Sequence, residues 1–509
     1  MAIDSKRIAK NTIFLYARLI LVLGVTLYTS RVVLDKLGVD DYGLYNVVFS
    51  VIGLLSFLNG TLSSGTSRFI TFALGKGDSE GLKTTFSTTL CTHVMLAGVI
   101  LLLGETVGIW YVHNVMVCPP ERFQAAFIVY QISILVTILS ILRVPYISEI
   151  MAHEQMDVYA YIGIFEAVAN LSVAFLISVS NSDKLILFAI LNGTIAIVVF
   201  LIYFLYSTRR FEEVRLSLTY KKDILLAIVK FSGWNVVANI SNTLMSQGVI
   251  MLFNIFFAPV VVAAQAISNQ ISQAVMQFVN NVRSAVNPQV IKLYADGKYD
   301  DSKRLTLQSA EYVFDLLLLF GVPLIMIMPT LLDIWLVEVP EYAVTFARLI
   351  IIQDILGNFS AAFYTPMVAA NKIEKNSISA AVLCVFQFGT LYVLFKCGMG
   401  PVWARYIGIL FVCIWSFVVK PYILWKDINY SWKELTYCVF RCMRVLLLVI
   451  CICVPLYFLI SQNSIFESVL IAVVSISVVT IISFMCLDRN TRCRLLNFLV
   501  KKFKYNKNE

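Results

Sequence analysis

The chain has 509 residues, of which 59% are hydrophobic and only 14% charged, and its mean hydropathy is +0.82. A soluble chain carries roughly 25% charged residues, so a soluble enzyme is excluded. Long apolar runs in place of short alternating strands choose membrane-spanning helices over a barrel. The net charge of +9 does not point to nucleic acid, because the basic residues sit between the apolar runs, where they orient a membrane protein.

An all-α polytopic fold with about fourteen spans is expected. The segment Met1–Lys10 is short and polar, with no cleavable signal expected, and the first six spans cover about 12–34, 43–66, 84–111, 123–146, 158–179 and 185–207. Six more cover about 227–256, 259–286, 309–331, 344–366, 378–398 and 401–425, followed by a pair at about 443–462 and 466–487. Runs near twenty residues match a hydrocarbon layer about 30 Å thick. The expected organisation is an N-lobe at 1–208, a basic connector at 209–226, a C-lobe at 227–425, helices 13 and 14 within 426–487 and a basic tail at 488–509. The tail alternates basic residues with Leu495, Leu496, Phe498, Leu499 and Phe503, a pattern suited to a helix lying on an anionic leaflet. Lys and Arg concentrate in alternate connections, which places both termini in the cytoplasm.

The pattern occurs twice. Gly75-Lys76-Gly77-Asp78 returns 222 positions later as Gly297-Lys298-Tyr299-Asp300, and Asn59 and Gln131 return as Asn281 and Gln353 at the same shift. Gly108-Ile109-Trp110 matches Asp333-Ile334-Trp335, and Pro120-Glu121 matches Pro340-Glu341, at nearby shifts. Their order along the chain predicts two six-helix lobes related by a pseudo-twofold axis along the membrane normal.

Polar stripes at helical spacing mark inward faces. Span 7 carries Asn235, Asn239 and Asn242, span 8 carries Gln265, Asn269 and Arg283, and span 2 carries Asn46 with Ser50 and Ser67. Such stripes serve either interhelical packing or a hydrated cavity, and their recurrence in both lobes favours the cavity. Charges inside spans need a partner or a pathway, since insertion costs at least about 2.5–3.5 kcal/mol. Arg18, Arg31, Arg68 and Arg283 are the candidate substrate contacts, and Glu166, Asp315 and Asp354 the candidate coupling acids. An ion pair between Arg18 and Glu166 is the structural alternative for both. Arg68, Arg143 and Arg283 could equally snorkel to the cytoplasmic headgroups. His93, which aligns with Asp315 in the repeat, is expected to be a hydrogen-bonded structural residue. No nucleophile triad, metal-spaced His/Cys set or nucleotide loop is visible, so no catalytic residue, metal or cofactor is expected.

The opening Asn11-Thr12-Ile13-Phe14-Leu15-Tyr16-Ala17-Arg18 leads to Ser30-Arg31-Val32-Val33-Leu34-Asp35-Lys36-Leu37-Gly38 and Asp41-Tyr42-Gly43-Leu44-Tyr45-Asn46. With Val144-Pro145-Tyr146, Ala152-His153-Glu154, Tyr159-Ala160-Tyr161-Ile162 and Asn429-Tyr430-Ser431-Trp432, it resembles the Wzx-type polysaccharide-export flippases of the multidrug/oligosaccharidyl-lipid/polysaccharide superfamily. The resemblance runs over most of the chain. It implies two six-helix lobes, alternating access, and movement of undecaprenyl-diphosphate-linked oligosaccharide across the bacterial inner membrane for O-antigen or capsule synthesis. The implied partners are that lipid-linked glycan, the surrounding lipids and a coupling H+ or Na+. A cation-coupled drug antiporter of the same superfamily is the alternative. A membrane polymerase would need a large catalytic loop, which the short connections do not offer.

Overall fold

The computed structural model describes residues 5–75, 77–214, 236–459, 464–487 and 492, the side chains of 5–17, 56–61, 64 and 285 excepted. Asn235, most of the connector 209–226, and the tail apart from Arg492 therefore lie outside the described residues. Everything described is helix, turn or loop, with no strand among the described residues.

The helices are α1 (Ser5–Leu37), then α2 (Val39–Gly53) running through a 3-10 turn into α3 (Phe57–Gly75). They continue as α4 (Ser79–Asn114), α5 (Pro120–Ala152), α6 (Met156–Val179), α7 (Lys184–Arg210), α8 (Val236–Phe256) and α9 (Pro259–Ala295). The remainder are α10 (Tyr299–Trp335), α11 (Ala343–Ala369), α12 (Glu374–Lys396), α13 (Trp403–Ile428), α14 (Trp432–Leu459) and α15 (Ile465–Met485). Eleven helices among the described residues are long and apolar enough to cross a membrane. The expected all-helical polytopic fold is what the chain adopts.

Two compact units divide the chain. Unit 1 holds residues 1–270, 335–343 and 376–404, and unit 2 holds 271–334, 344–375 and 405–509. In a bilayer, lipid tails are as apolar as leucine, so association rests on close packing and on hydrogen bonds. Unit 1 shows both. Tyr146 meets the rings of Phe86, Phe200 and Phe204 at 5.7–6.2 Å. Gly43 lies so close to Pro259 that a Cβ there would collide with the Pro259 carbonyl. A π turn at Gly104–Gly108 inside α4 turns the Gly104 carbonyl toward the buried Tyr130, whose hydroxyl donates to it at 2.6 Å. In unit 2, Phe359 stacks on Phe417 at 5.1 Å and meets Phe363 edge-on at 5.3 Å. The lipid-facing side is recognisable in α15, where Phe466, Val473 and Ile481 are exposed while Ile471, Val479 and Ser475 are buried.

Helix ends repeat more faithfully than helix faces. Gly77 and Gly297 both take positive φ, 70° and 76°, and in both the N–H bonds back three residues, to Leu74 and Tyr294. The turn thus pairs Gly297 with Gly77, two positions from the Gly75 that letter matching selects. Glu154 and Asn371 close α5 and α11 in the same way, at φ 57° and 53°. Each is bracketed by the same two bonds, Glu154 N–H to Met151 and Gln155 N–H to Ile150, then Asn371 N–H to Val368 and Lys372 N–H to Met367. These are left-handed helix caps.

One guanidinium ties three helix starts of unit 1 together. Arg122 donates Nε and Nη2 to Asp41 and Nη1 to Asp183, the last at 2.5 Å. Asp183 also accepts from the Leu185 and Ile186 N–H groups as the N-cap of α7. Burial alone would raise the Asp183 carboxyl, but the Arg122 hydrogen bond, the backbone N–H bonds and the guanidinium charge hold it below the usual carboxylate range. Asp41 shifts the other way, pushed up by burial despite Arg122, so it is the Asp183 share of the stabilisation that is complete above about pH 4 and fades as pH falls through its lower folded value. Arg122→Ala is expected to destabilise by about 1.5–3 kcal/mol, because two facing carboxylates lose their shared cation. Thermal unfolding in detergent measures it, and the deficit relative to wild type should shrink on acidification.

Candidate functional site

In unit 1 the expected charges gather on one face of α6. Tyr159, Gly163 and Glu166 are spaced at four and three residues, so they share that face. Arg18 of α1 reaches it, its guanidinium carbon 4.4 Å from the Tyr159 ring centre, a cation–π distance. Gly163 leaves the space, since a Cβ there would collide with the guanidinium. The Arg18 Nε is buried without a hydrogen-bond partner. Glu166 does not pair with Arg18. It pairs with Arg143, whose Nη1 lies 3.0 Å from its carboxylate, because Arg143 interrupts α5 opposite the Glu166 turn while Arg18 is received by Tyr159 and Gly163. This pair also gives Arg143 a partner in the protein rather than in the headgroups. Glu166, Asn170, Asn192, Ser133 and Tyr45 line a small mixed-polarity cavity of about 150 Å³.

The polar stripes of unit 1 are knitted to themselves. Asn46 donates to the Tyr42 carbonyl at 2.7 Å, and Gln270 donates to the Tyr42 hydroxyl at 2.8 Å. Gln265 donates to Asn269 at 2.9 Å, while its own Oε1 stays buried and unmatched. Asn242 is exposed and Asn239 half-buried. Arg31 is half-buried and has a partner in the protein, as has the exposed Arg68. His93 is fully buried with Nε2 3.0 Å from Thr66 Oγ1, a structural bond.

Unit 2 separates its acids into two kinds. Asp315 is held in a two-pronged pair by Arg441, at 3.1 and 2.6 Å, with Glu311 nearby on the same guanidinium. That bond fastens α10 to α14. Asp354 instead accepts from Ser272 at 2.5 Å and feels the charge of the buried Arg405. No two-pronged pair closes over it among the described residues.

The residue that sequence reasoning missed is Lys420. It sits at the end of a π turn, Ile414–Val419, in α13, and is only 8% exposed. Its ammonium donates to the Ser360 carbonyl and hydroxyl, both at 3.2 Å, and stands 5.4 Å from the Trp415 ring. The charged neighbour acting on it is Arg283, a second cation. Arg283 makes one long bond, 3.4 Å to Asn280, and its Nε has no hydrogen-bond partner. Among the described residues neither cation makes an ion pair. Lys420 follows a run of apolar residues and precedes Pro421, so in sequence it reads as the basic end of a span. Only the π turn and the facing Ser360 bring it inside.

No protein-family model matches the sequence, and no curated protein does. Solved structures do. An inward-facing multidrug resistance MATE family transporter of the MOP superfamily is similar with a TM-score of 0.66 and 14% identity, over 82% of this chain and 99% of that one. The lipid II flippase MurJ in an inward closed conformation is similar with a TM-score of 0.63 and 13% identity, over 94% of this chain and 98% of that one. An outward-facing MATE transporter gives 0.58 and 14%, over 83% and 97%. These neighbours are transporters and a flippase, not enzymes. The chain has the fold of the MOP-superfamily transporters.

Proposed function

We propose that the protein is a flippase that carries an undecaprenyl-diphosphate-linked oligosaccharide from the cytoplasmic to the periplasmic leaflet of a bacterial inner membrane, by alternating access, for surface polysaccharide synthesis. The observation that supports this reading is the Arg283–Lys420 pair: a buried lysine and a half-buried arginine that repel each other, with no carboxylate paired to either among the described residues. A transporter for cationic drugs has no use for them. A diphosphate supplies the two negative charges they lack, with Arg as a planar fork and Lys as a point charge. Arg18 is a second cation with an unmatched donor in unit 1. The likeness to MurJ takes in more of this chain than the MATE likenesses do, and the extra share is about the size of α14 and α15 together. The half-polar cavity beside Glu166 suits hydroxyl groups. Asp354, a buried acid beside a serine, is the coupling candidate that keeps H+ or Na+ in the proposal, and it is also the feature that favours the drug-antiporter alternative.

The deciding experiment reconstitutes the protein in liposomes carrying a fluorescent polyprenyl-diphosphate oligosaccharide. Loss of inner-leaflet protection from a membrane-impermeant quencher, at a rate well above protein-free vesicles, is the expected result. Cation-driven uptake of an organic cation with no movement of the lipid-linked glycan would replace this reading with the antiporter.

A further inference from the structure

At the far end of α5 three donor side chains meet away from the sites above. Glu149 and His153 are four residues apart, so they project from one face of the same helix end. Glu213 comes from the 3-10 turn Glu212–Val214 that follows α7. The His153 Nε2 lies 2.7 Å from a Glu213 oxygen and 3.3 Å from a Glu149 oxygen, and one ligand atom from each residue fits within 4.8 Å of the others. Glu149 is 0% exposed, and neither of its carboxylate oxygens has a hydrogen-bond partner.

A fully buried carboxylate with both oxygens unmatched is costly unless something compensates it. Two carboxylates face one imidazole here. A divalent cation matches that donor set and gives the buried Glu149 oxygens a ligand bond in place of water. The donor set, one imidazole nitrogen and two carboxylate oxygens, suits a first-row divalent ion such as Zn²⁺ better than Mg²⁺. A tetrahedral ion with bonds of about 2.0–2.2 Å holds its ligand atoms roughly 3.4 Å apart, so the His153–Glu213 contact has only to open by a fraction of an ångström. The ring is already oriented: His153 stacks on the buried Phe211 with centroids 4.3 Å apart and planes 15° apart. The chain then turns through the left-handed Glu154, a conformation that costs a non-glycine residue about 1–2 kcal/mol and that places His153 at the helix end.

We propose that Glu149, His153 and Glu213 form a binding site for a divalent transition-metal ion, with Zn²⁺ the best fit and water completing its shell. Bound there, the ion clamps the turn after α7 to the end of α5. The proposal is independent of what the protein transports.

The test uses the full chain in detergent, stripped with a chelator and dialysed. Isothermal titration with Zn²⁺ should give one site per chain and a rise in melting temperature, with Mg²⁺ giving neither. E149Q and H153A should each weaken Zn²⁺ binding at least tenfold and abolish the thermal shift, while the metal-free variants elute as the metal-free wild type does. The chain has 11 cysteines, so Co²⁺ substitution supplies a second readout. Weak bands without thiolate charge transfer support this donor set, and thiolate bands overturn it. Unchanged Zn²⁺ affinity in both variants overturns it as well. If wild type takes up no Zn²⁺ and E149Q raises the melting temperature of the metal-free protein, a shared proton replaces the metal.

Discussion

On the proposed flippase function, Lys420→Met is expected to cut glycan export at least tenfold while leaving the protein as stable as wild type or more so. The two effects have one cause. A buried ammonium whose hydrogen bonds among the described residues go to Ser360 alone and whose charged neighbour is Arg283 is unfavourable to the fold, since a lone charge loses more in desolvation than two neutral acceptors return. Methionine has nearly the same length and no charge, so it relieves that term. If Lys420 exists to meet a phosphate, the substitution also removes a charge-assisted bond of about 1.5–3 kcal/mol, which is one to two decades in rate where that contact limits transport. Arg283→Ala should fall in the same range, and the double variant should lose less than the sum, because both serve one anion. Lys420→Arg keeps the charge and should retain part of the activity. The measurements are surface polysaccharide in a strain lacking its own flippase, protein level by blot, and melting temperature in detergent. Normal export by Lys420→Met at normal abundance would remove this residue from the site, and a large drop in melting temperature would make it a structural cation.

The opposite sign is expected at Asp315. Its partner Arg441 is 2% exposed, so Asp315→Ala leaves a guanidinium inside the protein with its main counter-charge gone and Glu311 at 3.8 Å as the remaining acid. Breaking a buried pair by removing one partner costs about 3–5 kcal/mol. Because the pair joins α10 to α14, the loss should show first as protease sensitivity of the C-terminal pair. Asp315→Leu with Arg441→Leu removes both charges at once and should recover most of the deficit, as apolar replacements of buried pairs do. A melting temperature for Asp315→Ala within error of wild type would show that Glu311 alone satisfies Arg441.

The helical fold was legible because the bilayer leaves the chain few choices: apolar runs of the right length must close their backbone bonds internally, and each run can be read by itself. Pairing was not. Arg18 and Glu166 look stranded along the chain while Arg143 looks free to reach the headgroups, and which two meet depends on α6 presenting Gly163, a residue with no side chain to advertise the approach. Asp315 and Asp354 look alike as intramembrane acids, yet only one faces Arg441, which lies 126 residues from Asp315. Lys420 was hidden for another reason. A regular helix would be read as ending there, and the π turn that shifts its side chain toward Ser360 leaves no periodic mark in the sequence. The His153 cluster escaped because its third member comes from a turn 60 residues away, so no local spacing announces it.

The matched caps at Glu154 and Asn371 say something about ancestry that the helix faces cannot. A duplicated six-helix unit is free to drift on its lipid-facing and cavity-facing sides, where one apolar or polar residue replaces another at little loss. A chain reversal has no such latitude: the loop must leave the helix in the left-handed region whatever residue stands there. Here Asn371 tolerates that region and Glu154 does not favour it, yet the chain turns in the same way at both. The two turns share a geometry without sharing a residue, so the turns, more than the transmembrane letters, are where a common origin of the two halves should be sought.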